Sequence, residues 1–293
     1  MVTPNIDMLA STGAILDRFY AYRFCSPSRS SFLTGRNPIH VNTGNDPLTL
    51  YNPKDQVSGF AGIPRNMTAI AEKLAAVGYE TVQAGKWHVG LATPDHTPKG
   101  RGFTKSLTYL DGANEYWTST TSGWCDKADG TPVLYTDLWG SSGPAYGQNN
   151  SWACSQTNQP ASCAYEDSIF TNFTVGAILA HDPATPFFLY FAPHNVHEPL
   201  EAPQAQLDKF QFVYDTCAAA VGGALGKNNS CSAAVAQPEA PITDGKTIKQ
   251  CCFRQYYSAM TNLVDQHIGQ VVGALKSKGM WANTLVTLSS DNG

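Results

Sequence analysis

Charge is scarce in this sequence, and clustered basic charge is absent. Lys, Arg, Asp and Glu make up 14% of the 293 residues, and the 19 basic residues form no run. A polyanion-binding surface needs such a patch, so neither nucleic acid nor a membrane is expected as a partner. Long apolar runs are missing too: PFFLYFAP at 186–193 is far too short to cross a bilayer and fits a buried strand. The opening MVTPNIDMLASTG has no basic region followed by an apolar one, so no signal peptide is expected in this chain. No CxxC pair occurs among the cysteines at 25, 125, 154, 163, 217, 231, 251 and 252, and no repeat is evident. Their scatter argues against zinc ligation and for structural disulfides.

What remains is a chain with 42% hydrophobic residues and a net charge of −4, suited to a large packed core. Disulfides imply an oxidising compartment, and N-x-S/T sequons at Asn66, Asn149, Asn172 and Asn228 point the same way. The expected location is the secretory pathway, extracellular or lysosomal.

Helical spacing and stop signals predict helices over residues 4–13, 28–33, 68–76, 168–180 and 253–276. In the third, Ile70, Leu74 and Val77 form the expected apolar face; in the last, Tyr257, Met260, Leu263, Val264, Ile268, Val271 and Leu275 do. Strands are expected at 14–20, 79–84, 187–192 and 284–289. Helix then strand, repeated, predicts an α/β fold: a mostly parallel sheet with helices on both faces. Residues 118–163 and 217–247, rich in small and polar residues, read as disulfide-tied insertions in one domain spanning 1–293.

Lys86/His88, His194/His197 and Asp291/Asn292 each follow a predicted strand. The C-terminal edge of such a sheet is where ligands bind, because its loops converge there. Taken singly, a Lys-x-His is usually a solvated loop and an Asp-Asn pair a turn; their joint placement at one edge makes them candidates.

Cys25-Ser26-Pro27-Ser28-Arg29-Ser30-Ser31-Phe32-Leu33-Thr34-Gly35-Arg36 strengthens that reading, because it resembles the sulfatase signature C-x-P-x-R-x-x-x-x-T-G-R at every fixed position. TPNIDMLASTGAILDRFY, GKWHVG and SSDNG also resemble segments of type I sulfatases, and RGF, VHEPL and the long helix look most like arylsulfatase B and its relatives. The resemblance implies an alkaline phosphatase/sulfatase-like fold and hydrolysis of sulfuric esters. It implies that Cys25 is oxidised by the formylglycine-generating enzyme to Cα-formylglycine. One hydroxyl of the hydrated aldehyde would attack sulfur and the other would later expel sulfate. A divalent cation, usually calcium, would be held by the modified Cys25, Asp291 and Asn292. Arg29 would hydrogen-bond the diol, Lys86 and His197 would hold the sulfate oxygens, and His88 would orient the nucleophile or move its proton. His194 has no secure counterpart in that pattern.

The family's first strand with its Asp-Asp pair, a later catalytic lysine and a smaller C-terminal region find no match, so the expected domain is incomplete at both ends. Such a chain would have unpaired sheet edges and a weakened cation site. Setting Cys25 aside leaves seven cysteines, so at least one is expected to lack a partner. The competing functions are a truncated non-catalytic chain and a phosphate-ester hydrolase of the same superfamily. The signature cysteine argues against the second, whose members generally present Ser or Thr. The substrate is expected to be a sulfated carbohydrate or an aryl sulfate.

Overall fold

A computed structural model of the protein describes residues 2–45, 50, 52–122, 129–145, 153–223, 231–235 and 248–292. Cys125, Asn149, Asn228, Gly293 and parts of both expected insertions lie outside these residues.

Along the chain come α1 (Pro4–Thr12), α2 (Cys25–Thr34), α3 (Ile70–Ala75), β1 (Glu80–Lys86) and β2 (Lys105–Tyr109). Four two-residue strands follow: β3 (Thr120–Thr121), β4 (Tyr135–Thr136), β5 (Trp139–Gly140) and β6 (Gly143–Pro144). Then come α4 (Glu166–Ala180), β7 (Phe187–Ala192), α5 (Gln204–Lys209), α6 (Gln211–Val221), α7 (Cys231–Val235) and α8 (Ile248–Ser277). The main sheet has the order β6-β5-β2-β1-β7, with β1 parallel to both β2 and β7 and the two short strands antiparallel beyond β2.

The aromatic run of β7 explains why both faces of the sheet are covered. Phe188 and Tyr190 pack with Leu33 of α2, Ala71 of α3, Trp87 and Phe103 on one side. Phe187 and Leu189 meet Ile178 of α4 and Val271 and Leu275 of α8 on the other. A strand apolar on both faces is the pattern of a parallel sheet sandwiched by helices, as expected from the sequence. Gly85 permits the closest approach: at φ +91°, a Cβ there would stand 2.0 Å from the Ala192 carbonyl oxygen of β7. Only glycine lets the two strands meet just before Lys86.

Polar contacts then fix the outer helices. The buried Asp265 carboxylate of α8 accepts the N–H groups of Asn5 and Ile6 at 2.9 and 2.8 Å, answering the unpaired donors at the start of α1. Disulfides Cys154–Cys163, Cys217–Cys251 and Cys231–Cys252 staple the region around α6, α7 and α8. Cys25 is a free, buried thiol.

Five local expectations need correction. Residues 14–20 and 284–289 form no strand; Ile15 and Leu285 are 74% and 90% exposed. Apolar β-formers become a strand only where a neighbouring backbone completes the ladder, and among the described residues neither segment joins one, while β7 pairs only with β1. The third helix is six residues long and packs through its small Ala71, close to Gly102, with Ile70 and Val77 exposed. Tyr257 likewise stands exposed on α8. Finally, β1 runs two residues beyond its expected end, so Lys86 is its last residue rather than part of the loop after it.

Candidate active site

Cys25 is the first residue of α2, the helix that Gly35 ends with φ +67° and an N–H bonded to the Ser31 carbonyl. Side chains are thereby presented at the positive end of a helix, where a thiolate or an oxyanion is favoured. The next residue is also held: the Ser26 N–H donates to the Asn45 amide oxygen at 3.0 Å, and Asn42 donates to the Ser26 hydroxyl at 2.6 Å. Sequence reasoning missed both asparagines, which carry no pattern beyond their place in a polar loop.

Four polar groups converge on the Cys25 sulfur, itself only 4% exposed. Asn292 donates to it through Nδ2 at 3.4 Å. His197 and His88 hydrogen-bond to it, and Lys86 faces it electrostatically. The ring nitrogens can be told apart. His197 Nδ1 donates to the Glu198 carbonyl at 2.7 Å, leaving Nε2 for Cys25. His88 Nδ1 has no partner, so its bond to Cys25 also runs through Nε2. Burial pushes the Cys25 thiol up, but the two histidines and Lys86 override it and hold it at about 4. Burial and the nearby Arg29 charge bring Lys86 down to about 8, and burial lowers His88 below its ordinary value.

Arg29 ties the parts together from beneath. Its Nε donates to Asp291 Oδ2 at 2.9 Å, and its Nη1 donates to the Lys86 carbonyl at 3.0 Å and reaches the Tyr190 hydroxyl at 3.4 Å. The seven residues singled out in the sequence, Cys25, Arg29, Lys86, His88, His197, Asp291 and Asn292, therefore meet in one place. Tyr190 was read only as core, because its strand is apolar on both sides.

His88 depends on a glycine that the sequence did not flag. Its backbone is in the left-handed region at φ +54°, and a Cβ on Gly112 would lie 2.9 Å from the ring's Cε1. Gly112→Ala is expected to push the imidazole off Cys25 and lower turnover about tenfold, with little loss of thermal stability. Steady-state kinetics and a melting curve on the same preparation check both halves.

Two conditions bear on what the centre can hold. The orphaned Lys86 ammonium is a buried donor with capacity to spare beside one sulfur. Two oxygens on the same carbon, as in a hydrated aldehyde, fit that surplus better than one thiolate does. A divalent cation fits less well: Asp291 and Asn292 offer two oxygen-bearing side chains where calcium takes six to eight oxygens, and Asp291 already serves Arg29. Among the described residues no group of three or more His, Cys, Asp or Glu could hold a metal ion. The described residues do not complete a cation site.

Near the loop carrying His197, Glu201 accepts the Tyr116 N–H at 3.1 Å. Burial and the neighbouring Glu115 push its carboxyl up to about 8. A carboxyl raised in the fold contributes stability below its unfolded value of about 4.3 and loses it as pH rises through the folded one. Stability should therefore decline between about pH 4.5 and 8, and Glu201→Gln should flatten that decline, gaining on the order of 1 kcal/mol at pH 8. Denaturant melts at several pH values test this; parallel curves for the two proteins would refute it.

Comparison with known proteins adds a family and a fold. The sequence model of the family described as Sulfatase matches residues 1–293. Arylsulfatase J of Mus musculus is 28% identical over 291 residues, covering 99% of this chain and 38% of the relative. The crystal structure of Ps i-CgsB in complex with k-i-k-neocarrahexaose superposes with a TM-score of 0.59 at 21% identity, over 96% of this chain and 51% of that one. A structure described as a complex with its substrate D-glucosamine-2-N,6-O-disulfate gives 0.56 at 17% identity, over 97% and 59%. The chain spans 38–61% of the length of the first three curated relatives it matches.

Proposed function

The chain belongs to the sulfatase family, and from that premise we propose that the protein hydrolyses sulfate esters at the centre built around Cys25. The observation that carries the reading is the encirclement of the Cys25 side chain by Asn292, His88, His197 and Lys86. These are donors and cations suited to an anionic group and to a nucleophile that must lose a proton.

Conversion of Cys25 to Cα-formylglycine supplies, once hydrated, an oxygen nucleophile for sulfur and a second hydroxyl whose ionisation lets sulfate leave. The chain's own residues do the rest. Lys86 and His197 hold sulfate oxygens as charge develops on them, with Lys86 fixed at the end of β1 and His197 turned by its Nδ1 bond to Glu198. His88 Nε2 orients the residue at position 25 and moves its proton. Arg29 sets the places of Asp291 and the Lys86 backbone. Asp291 and Asn292 are the residues that would face a divalent cation, calcium being the family's usual ion, with further ligands needed from elsewhere.

We read residues 1–293 as one catalytic domain interrupted by insertions around 118–163 and 217–247. A sulfated carbohydrate is the favoured substrate class, since two solved relatives of the same fold are described with carbohydrate ligands; aryl sulfates should serve as surrogates. Three disulfides and the exposed sequons at Asn66 and Asn172 support passage through the secretory pathway, where the formylglycine-generating enzyme would act on Cys25. No described helix is long and apolar enough to cross a membrane. The test is incubation of full-length protein, made in a secretory host, with a chromogenic aryl sulfate, alongside mass spectrometry of the peptide containing Cys25. Release of sulfate with the aldehyde in place supports the reading, and no release despite complete conversion overturns it.

A further inference from the structure

The loop carrying His197 is gripped by three consecutive residues at the start of α4, none of which the chemistry above uses. The Tyr165 hydroxyl bridges the Asn195 side chain at 2.6 Å and the Glu201 carbonyl at 2.8 Å. Glu166 meets His194 Nδ1 at 3.0 Å through one oxygen and accepts from Asn114 at 2.7 Å through the other. Asp167 accepts the backbone N–H groups of His194 and Asn195, one on each carboxylate oxygen, at 2.7 and 2.9 Å. From there the chain turns once, the His197 N–H bonding to the His194 carbonyl at 3.0 Å, and delivers His197 to Cys25.

Two further observations make this grip more than ordinary loop packing. Glu166 and Asp167 are both completely buried, and Asp167 makes no ion pair with any cation among the described residues. Burying an unpaired carboxylate is a costly way to satisfy two amides that water could satisfy. Its distinctive effect is geometric, because two oxygens fixed in one plane lock two successive peptide groups. The His194 ring is also stacked against Tyr116, with centroids 3.9 Å apart, and the Tyr116 hydroxyl donates to the His197 carbonyl at 2.9 Å. The turn is thus clamped before and at His197, leaving the imidazole little freedom.

We propose that Asp167, supported by Glu166, is a positioning residue for His197: its carboxylate locks the His194 and Asn195 peptides so that the imidazole is aimed at the residue in position 25. The inference rests on the reading that His197 acts on sulfate held at Cys25. Asp167 touches neither substrate nor nucleophile and acts only through the loop.

The test uses full-length protein carrying Asp167→Asn, Asp167→Ala, His197→Ala, the double variant Asp167→Asn/His197→Ala, Glu166→Ala and Glu166→Gln, each with a chromogenic aryl sulfate. Asp167→Asn keeps the shape but offers one acceptor for two donors. It should lower kcat about tenfold with KM within about twofold, and Asp167→Ala, where it folds, should lower kcat about a hundredfold. In the His197→Ala background the same Asp167→Asn change should cost less than about twofold, because its target is gone. Glu166→Gln, able to keep both side-chain bonds, should recover most of what Glu166→Ala loses. Crystal structures of Asp167→Asn and the unsubstituted protein should differ in the His197 ring, withdrawn from position 25, with Lys86 and His88 in place. An undiminished tenfold loss in the double variant, or a His197 ring that has not moved, overturns the proposal. If the unsubstituted protein hydrolyses no sulfate ester, the functional reading falls, and the crystallographic comparison alone still decides whether Asp167 positions His197.

Discussion

Replacing Cys25 with alanine is expected to lower sulfate-ester hydrolysis by on the order of 10⁴–10⁶-fold while leaving the fold intact. The side chain fills little volume and makes no disulfide, so its loss removes chemistry rather than support. The donors around it, Asn292, His88, His197 and Lys86, would remain and continue to bind an anion, so competition by inorganic sulfate should persist. Cys25→Ser separates the steps further. A serine hydroxyl placed among the same groups can attack sulfur, but it lacks the second hydroxyl whose proton loss expels sulfate. The variant should therefore accumulate a sulfate ester on the introduced serine after one turnover, visible as added sulfur trioxide in the mass of that peptide. Multiple turnovers by either variant would remove Cys25 from the mechanism.

How much of this centre the sequence disclosed depends on how local each cause is. Cys25 at the start of a helix was legible because its neighbours, from Pro27 to Gly35, contain both the helix and its stop. The strand Phe187–Ala192 was legible because a run of six apolar residues has no exposed face to offer. Residues 284–289 carry an equally convincing strand pattern and form none, since a ladder needs a neighbour that local sequence cannot supply. The same limit hid the parts that aim the side chains. Gly112 matters only because His88 lies against it, and Asp167 only because the peptides of His194 and Asn195 lie against its carboxylate. The sequence placed Glu166 and Asp167 just before the helix expected at 168–180, whereas they are its first two residues, where the helix dipole alone would favour acidic side chains. Arg29 was expected to bond the diol at position 25; the bonds that local sequence did not disclose run to Asp291, the Lys86 carbonyl and Tyr190, groups that surround Cys25.

Those bonds make Arg29→Met the substitution with the next largest expected effect. Methionine keeps much of the side-chain volume but removes every donor, leaving the Lys86 carbonyl and the Asp291 carboxylate without their partner. Breaking a buried pair costs about 3–5 kcal/mol; because Asp291 keeps some access to water, about 2–3 kcal/mol is expected here at neutral pH. Turnover should fall at least about a hundredfold, because Lys86 and Asp291 both lose the contact that fixes them. The pH dependence identifies the cause. Burial raises the Asp291 carboxyl, but the charge of Arg29, aided by Lys86, more than offsets this and holds it below its ordinary value. A carboxyl lowered in the fold contributes stability above its unfolded value of about 3.9 and loses it as pH falls through the lower folded value. The stability gap between the original protein and Arg29→Met should therefore be widest near neutrality and shrink below about pH 4 as Asp291 takes up its proton. Denaturant unfolding at about pH 7 and about pH 3 reads the gap directly. A gap of constant size would mean that Arg29 acts through packing alone. Arg29→Lys should then rescue little of either property, because a single ammonium cannot reach the carboxylate and the Lys86 carbonyl with the planar fork that guanidinium provides.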